Sequence, residues 1–433
     1  MKGAGSPADE GDMDNLPGKI LRVAVVGGGP SGTAAAIRLA REGRKRKIPV
    51  EVLLFEGKDF DVHYNQCVGV LSPPIESILL DKLGIDLPLS IFKRHIRGYR
   101  LHAGGKEILL VGESRLGPTF AVRRVHFDAF MLRRAEEAGV KVYRSRVSDL
   151  DFLKEGRRRE VLVFSEAGTF VVDFVVGAFG LDEGSMALFE RATGRYRRPS
   201  RYMTTYITKI HVERGFIEKR LGDIIYAFLY PDREGKFEFG AITPKGDHII
   251  VNAAGKRVSV EDFLSFLDMP EVRDHLPPVS IPLSQIFKGK FPSSPARGVT
   301  GPSYLVVGDG TGFLRPLKGK GITTGVLTGI YCADAILDHV EKGTPLSAYE
   351  VRCRELVRDY FYGTIVKTAA RVGDAGGFLG SLIELAKVER ELYEALFNAV
   401  SGQETFRKIV RENLRLKTAA SLVKLWRRER EKG

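Results

Sequence analysis

An apolar run, Ile20 to Val26, breaks into Gly27-Gly28-Gly29-Pro30-Ser31-Gly32 and resumes from Thr33 to Arg41 as a small-residue helical pattern. A second apolar run, Val50 to Phe55, ends on Glu56. Glycines spaced G-x-G-x-x-G are weak evidence alone. Between a strand and a helix, with an acid closing the next strand, they specify a βαβ unit that binds a dinucleotide. Gly27 permits the tight turn, Gly29 lets a pyrophosphate approach the backbone, and Gly32 lets the helix close on the strand. Ser31 stands at the helix N-terminus, where free N–H groups and the positive dipole end meet phosphates. Glu56 is placed to accept hydrogen bonds from ribose hydroxyls. The alternative is a glycine-rich turn without a ligand.

The 433 residues allow two or three packed units. Cysteines are few and scattered, at Cys67, Cys332 and Cys353. That argues against a disulfide framework or a four-cysteine iron–sulfur cluster and fits a reducing cytoplasm. No charge-free apolar run is long enough to span a bilayer. Residues 1–19 read as a disordered leader, and no metal site is expected. The net charge of +13 gathers at Arg44–Lys47, Arg157–Arg159, Arg195–Arg201 and Arg427–Arg430. Nucleic acid, an anionic membrane or an acidic partner would fit these clusters, and so would a solvated surface. No stacking-aromatic pattern accompanies the charge, so nucleic acid is not expected.

Downstream, a strand Tyr304–Val307 meets Gly308-Asp309-Gly310-Thr311-Gly312, and a segment holding Pro316 and Gly319 leads at Gly321-Ile322 into a helix running to about His339. Between the two motifs, Arg124-Val125-His126-Phe127-Asp128 opens a helix that ends at Gly139. These segments resemble the FAD-dependent hydroxylase and geranylgeranyl reductase superfamily, whose fold is like that of p-hydroxybenzoate hydroxylase. The resemblance implies that Asp309 binds the ribityl chain of FAD, that Gly321 and Ile322 face the flavin pyrimidine ring, and that Arg124 helps hold the cofactor. It adds Pro316 and Gly319 to the flavin loop. A strand Lys141 to Val147 would pass near the adenine, with Val147 as a backbone contact. The plainer reading of Arg124 is a pairing with Asp128.

The reductase branch is the most similar. Asn65-Gln66-Cys67-Val68-Gly69 resembles the segment in which prenyl reductases carry a cysteine and small residues beside the isoalloxazine. This makes Cys67 the candidate catalytic residue and Cys67, Val68 and Gly69 cofactor contacts, against the alternative of a structural cysteine. Those reductases also have a Tyr-x-Trp-x-Phe-Pro strand lining the lipid cavity. Phe239-Gly240-Ala241-Ile242-Thr243-Pro244, followed by Lys245-Gly246-Asp247, fits its downstream pattern, while Tyr226-Ala227-Phe228-Leu229-Tyr230-Pro231 is closer residue for residue. Tyr226, Phe239 and Pro244 are therefore the candidate substrate contacts. Ala241 and Thr243 replace bulky aromatics and widen the cavity. The alternative is an ordinary sheet core. Gly177-Ala178-Phe179-Gly180 departs from the hydroxylase pattern, which has an Asp where Phe179 stands.

The expected fold is α/β: a Rossmann-type FAD-binding domain, a β-sheet substrate domain and a helical C-terminal region. The FAD domain is discontinuous, from 20–90, 117–185 and 300–345. Segments 91–116 and 186–299 form the substrate domain, and 346–433 is helical. Ala348 to Phe361, Leu379 to Val400 and Thr405 to Arg430 carry the helical period. The last is a basic amphipathic stretch around the single Trp426, suited to an anionic bilayer or to packing on its own domain. The expected activity is FAD-dependent saturation of C=C bonds in polyprenyl, geranylgeranyl-type chains on a lipid or quinone. The electron donor would be external: NAD(P)H, ferredoxin or another reductase. The expected location is the cytoplasm, with a peripheral position on the inner face of the cell membrane as the variant. The alternatives are a flavin-dependent monooxygenase of an aromatic or lipid substrate, and a non-catalytic FAD-bound lipid carrier or electron-transfer protein.

Overall fold

The computed structural model describes residues 20–60, 62, 67–112, 116–155, 158–230, 236–313, 321–374 and 377–413. The chain runs β1 (Leu21–Val26), α1 (Pro30–Lys45), β2 (Val50–Phe55), β3 (Val70–Leu71), α2 (Ile75–Leu83), β4 (Phe92–Ile96), β5 (Gly98–Ala103), β6 (Lys106–Val111) and β7 (Thr119–Val122). It continues through α3 (Arg124–Glu137), β8 (Lys141–Tyr143), β9 (Val147–Glu155), β10 (Arg158–Ser165), β11 (Gly168–Val172), β12 (Phe174–Gly177) and α4 (Glu183–Thr193). Next come β13 (Tyr202–His211), α5 (Arg214–Arg220), β14 (Ile224–Leu229), β15 (Phe239–Pro244), β16 (His248–Gly255), α6 (Val260–Asp268), α7 (Pro270–Arg273) and β17 (Ile286–Pro292). The last described elements are β18 (Thr300–Gly301), β19 (Tyr304–Val306), α8 (Gly321–Lys342), α9 (Ala348–Arg352), α10 (Arg354–Asp374), α11 (Phe378–Ala386), α12 (Arg390–Ser401) and α13 (Phe406–Asn413).

Two large sheets organise these elements. The first is six-stranded, in the order β18-β19-β12-β1-β2-β8, and parallel except at the β18–β19 edge. Strands β12 and β19 are buried along their whole length and β1 nearly so, which is why they read as continuous apolar runs rather than alternating ones. α1 begins with Pro30 in its first turn, where a missing N–H costs nothing. It crosses α8 closely: a Cβ on Gly329 would lie 2.3 Å from the Ser31 carbonyl oxygen and 3.0 Å from the Ala35 nitrogen.

The second sheet is seven-stranded, in the order β17-β13-β16-β15-β14-β5-β6, and antiparallel except between β14 and β5. One face packs Phe228, Ile242 and Val251 against Phe263 and Phe266 of α6. Ser259 starts that helix, in a reciprocal capping box with Asp262. The other face carries Leu101, Ala227, Leu229 and Ala241, and the C-terminal helices α11 and α12 lie over it.

Three local expectations change. The strand predicted over Lys141–Val147 ends at Tyr143, the last residue in register with β2, and Val147 instead opens β9. Between them the Ser145 hydroxyl accepts from the Ala167 N–H and redirects the chain. The helix expected to stop at Phe361 continues to Asp374. The stretch Leu379–Val400 divides into two helices at Lys387–Glu389. Among the described residues no helix is long and apolar enough to cross a membrane. The segment around Trp426 lies outside the described residues.

Candidate active site and cofactor cradle

Strand register decides where a ligand fits in a parallel sheet, because the crevice opens beyond the carboxyl ends at the switch point. Val26 of β1 is level with Phe55 of β2 and with Gly177 of β12, and Gly177 is level with Val306 of β19. The turns that follow these strands therefore converge, bringing Gly27, Glu56, Ala178 and Asp309 to one edge. Gly27 has φ +110°, and a Cβ there would lie 2.4 Å from the Ala178 carbonyl oxygen. A Cβ on Gly32 would lie 1.9 Å from the Gly27 oxygen, so both positions demand glycine. Nothing lies within 4 Å of a Cβ on Gly29, which faces open space. Beside it the N-terminus of α1 has no side-chain cap and no acid in its first turn. Glu56 is oriented by two backbone donors, the N–H groups of Gly28 at 2.8 Å and Lys58 at 2.7 Å. An open glycine cradle, an uncapped helix start and an oriented acid fit a dinucleotide cofactor.

The opposite wall comes from far along the chain. The Gly308 N–H donates to the Thr328 hydroxyl at 2.9 Å, which ties the β19 turn to α8 and sets Asp309, Gly321 and Ile322 on the same cavity. Burial raises the Asp309 carboxyl above its ordinary range, and the nearby Arg124 guanidinium opposes that rise. Arg124 itself donates through Nε to Asp128 at 2.7 Å and also lines the cavity. Burial works against its charge, and Asp128, Cys67 and Asp309 together more than offset the loss. Pro316 and Gly319 lie outside the described residues.

Cys67, Val68 and Gly69 also line this cavity. The Gly69 N–H donates to the Cys67 sulfur at 3.4 Å. Behind them stands Lys245, at the turn after β15 and only 1% exposed. Its Nζ donates to the carbonyls of Val68 (2.5 Å), Gly69 (2.7 Å) and Val122 (2.6 Å). Burial pushes its amine down to about 7. Three converging carbonyls can be answered only by an ammonium, with its three N–H groups, so they favour the charged form. Lys-Gly-Asp after a strand reads as a solvated turn, and no local signal marks this lysine as buried.

The cavity has a volume of about 1680 Å³ and continues from the cradle across the second sheet. That exceeds the roughly 300–1,000 Å³ typical of a site for one small ligand. Its floor follows the strand alternation: Ile225, Ala227 and Leu229 of β14, with Phe239, Ala241 and Thr243 of β15. Phe239 is thus on the wall as expected. Tyr226 and Pro244 are not. The same period of two turns Tyr226 to the opposite face, where its hydroxyl donates to the Arg220 carbonyl at 3.2 Å and its ring lies 4.2 Å from that of His275. Pro244 sits one residue out of phase with the lining set. Val147 does line the cavity, from the start of β9. Phe179, in place of the hydroxylase acid, packs against Phe189 (centroids 4.7 Å apart) and Tyr196 (5.9 Å). The roof includes Leu392, Ala395, Leu396 and Ala399 of α12 and Ile409 and Val410 of α13, which sequence reading did not place in a site.

A cradle of this kind joined to an apolar chamber suits a dinucleotide cofactor set beside an apolar ligand. No family model matches the chain. It is 26% identical over 343 residues to the chloroplastic geranylgeranyl diphosphate reductase of Oryza sativa, covering 76% of this chain and 68% of that protein. It is 25% identical over 359 residues to the digeranylgeranylglycerophospholipid reductase of Methanococcus vannielii, covering 80% of this chain and 86% of that one. In fold it matches a geranylgeranyl bacteriochlorophyll reductase-like protein of Thermoplasma acidophilum, with a TM-score of 0.67, 19% identity and coverage of 94% and 100%. Flavin-dependent halogenases share the fold as well. These similarities mark a flavin-dependent oxidoreductase that resembles the geranylgeranyl reductases.

Proposed function

We propose that this protein binds FAD and uses it to saturate C=C bonds of a polyprenyl chain carried by a lipid or quinone. The carrying observation is that the nucleotide cradle and the apolar chamber are one continuous cavity. In this reading Gly29, Ser31 and the α1 N-terminus take the pyrophosphate, and Glu56 takes the adenosine ribose, which favours FAD over a mononucleotide. Asp309, Arg124 and the N–H groups of Gly321 and Ile322 hold the ribityl and pyrimidine end. When bound and reduced, flavin would supply a hydride to one alkene carbon, while the other would take a proton from a positioned donor or water. The chain's own contribution is placement: an isolated alkene is poorly polarised, so an apolar floor and roof that exclude water and fix the chain must supply much of the rate. Cys67 lines this cavity, beside Val68 and Gly69 whose carbonyls Lys245 meets, and is the candidate for contact with the reacting bond. Electrons come from an external donor, NAD(P)H, ferredoxin or another reductase.

The test is mass spectrometry of a geranylgeranyl lipid and of a polyprenyl quinone after anaerobic incubation with the dithionite-reduced, FAD-loaded protein. A gain of about 2 Da per reduced bond is expected. Unchanged lipid, with flavin that reoxidises only in air, would overturn the reading in favour of a monooxygenase.

A further inference from the structure

In the register of the second sheet Ala227 stands directly beside Ala241. Both belong to the set of residues that line the cavity. Directly opposed strand residues have Cβ atoms about 5 Å apart, so two missing side chains leave one hollow rather than two dimples. On the roof the lining residues of α12 include 392, 395, 396, 399 and 400, a single helical stripe. Ala395 and Ala399, one turn apart, are its small members. Around both pairs the walls are hydrocarbon, with Leu101, Leu229 and Phe239 on the floor and Leu392 and Leu396 above. Asn252, in register with Ala241 on its other side, is a polar member of the same floor.

We infer that Ala227, Ala241, Ala395 and Ala399 are specificity-determining residues, whose bare Cβ atoms set the bore of the chamber to admit a methyl-branched chain. The inference rests on the prenyl substrate proposed above. A branched chain gains about fourfold in affinity for each methyl buried in matching space, and a straight chain has no branch to place. Larger side chains at these positions therefore act against the branched ligand selectively.

The experiment titrates FAD-loaded wild type, Ala241→Phe and Ala395→Phe with geranylgeraniol and with hexadecanol, a straight alcohol of the same backbone length, following flavin fluorescence. Geranylgeraniol is expected to weaken by about 15-fold, the worth of roughly two methyl groups, while hexadecanol changes little. Equal loss of both alcohols, or loss of neither, overturns the inference. If a Phe variant does not load FAD, Ala241→Val and Ala395→Val are read in its place, with the same selectivity required at smaller size. Wild type that binds geranylgeraniol selectively but never changes its mass would overturn the reductase reading and leave the assignment of bore standing.

Discussion

A single ammonium joins the two halves of the site. Lys245 reaches from the substrate sheet to three carbonyls on the flavin side, and Gly69 is bare where it does so: a Cβ there would lie 3.1 Å from Nζ and 2.4 Å from the Val122 oxygen. Lys245→Met strands those carbonyls without donors. Each such loss costs about 1–3 kcal/mol, so we expect a clearly lower denaturation midpoint and weaker FAD retention, read by flavin content after gel filtration. The pH dependence has a definite sign. The amine titrates near 7 in the folded protein and at 10.5 in the unfolded chain. Between those values the unfolded chain binds the extra proton, so the contribution of Lys245 to stability rises with pH; below about 7 both states are protonated and the full cost of burying the charge remains. Wild-type stability should therefore gain on that of Lys245→Met as pH rises from 7 toward 10.5, and a constant difference would refute this. Contrast Gly27 and Gly32, whose need for glycine was readable because it follows from a local backbone demand.

At the scale of elements, the cradle depends on how closely α1 and α8 approach, since the N-terminus of each helix borders the cavity. Gly329 is the contact that permits it, and the atoms it would meet, the Ser31 oxygen and Ala35 nitrogen, are backbone and cannot swing away. Gly329→Ala should cost about 1–3 kcal/mol by forcing the helices apart and should raise the dissociation constant for FAD. A stability loss with FAD affinity unchanged would show that the crossing does not position the cradle. In the second sheet, the sequences of β14 and β15 left the phase of each strand open. A strand's two faces are one residue apart, so assigning Tyr226 and Pro244 to the cavity needed knowledge of which face α6 covers. Val147 was assigned to the wrong strand for a similar reason: the turn at Ser145 is held by Ala167, a partner 22 residues away.

Across the whole molecule, the C-terminal helices do more than trail the two sheets. The Tyr393 hydroxyl accepts from the Val111 N–H at 2.7 Å and so clamps α12 along β6, the edge strand, which would otherwise present unpaired backbone. Lys367 of α10 pairs with Glu238, at the entry to β15, at 2.5 Å, and both side chains are largely buried. Removing one partner of such a pair costs about 3–5 kcal/mol, whereas replacing both with apolar or neutral groups of similar volume costs far less. We expect Lys367→Met to unfold at clearly lower denaturant than the double variant Lys367→Met/Glu238→Gln, and a double variant as unstable as the single would sink the idea. The amino-acid sequence alone determined the βαβ unit and its glycine turn, because short-range backbone geometry dictates where those glycines must stand, while the turn at Gly308–Gly312 was legible through its resemblance to known flavoproteins. Only the tertiary structure decided which face of each strand meets the cavity, that Lys245 is buried beneath Gly69, and that α12 roofs the chamber. Those facts depend on contacts between elements that are not neighbours in the sequence, and no local pattern encodes them.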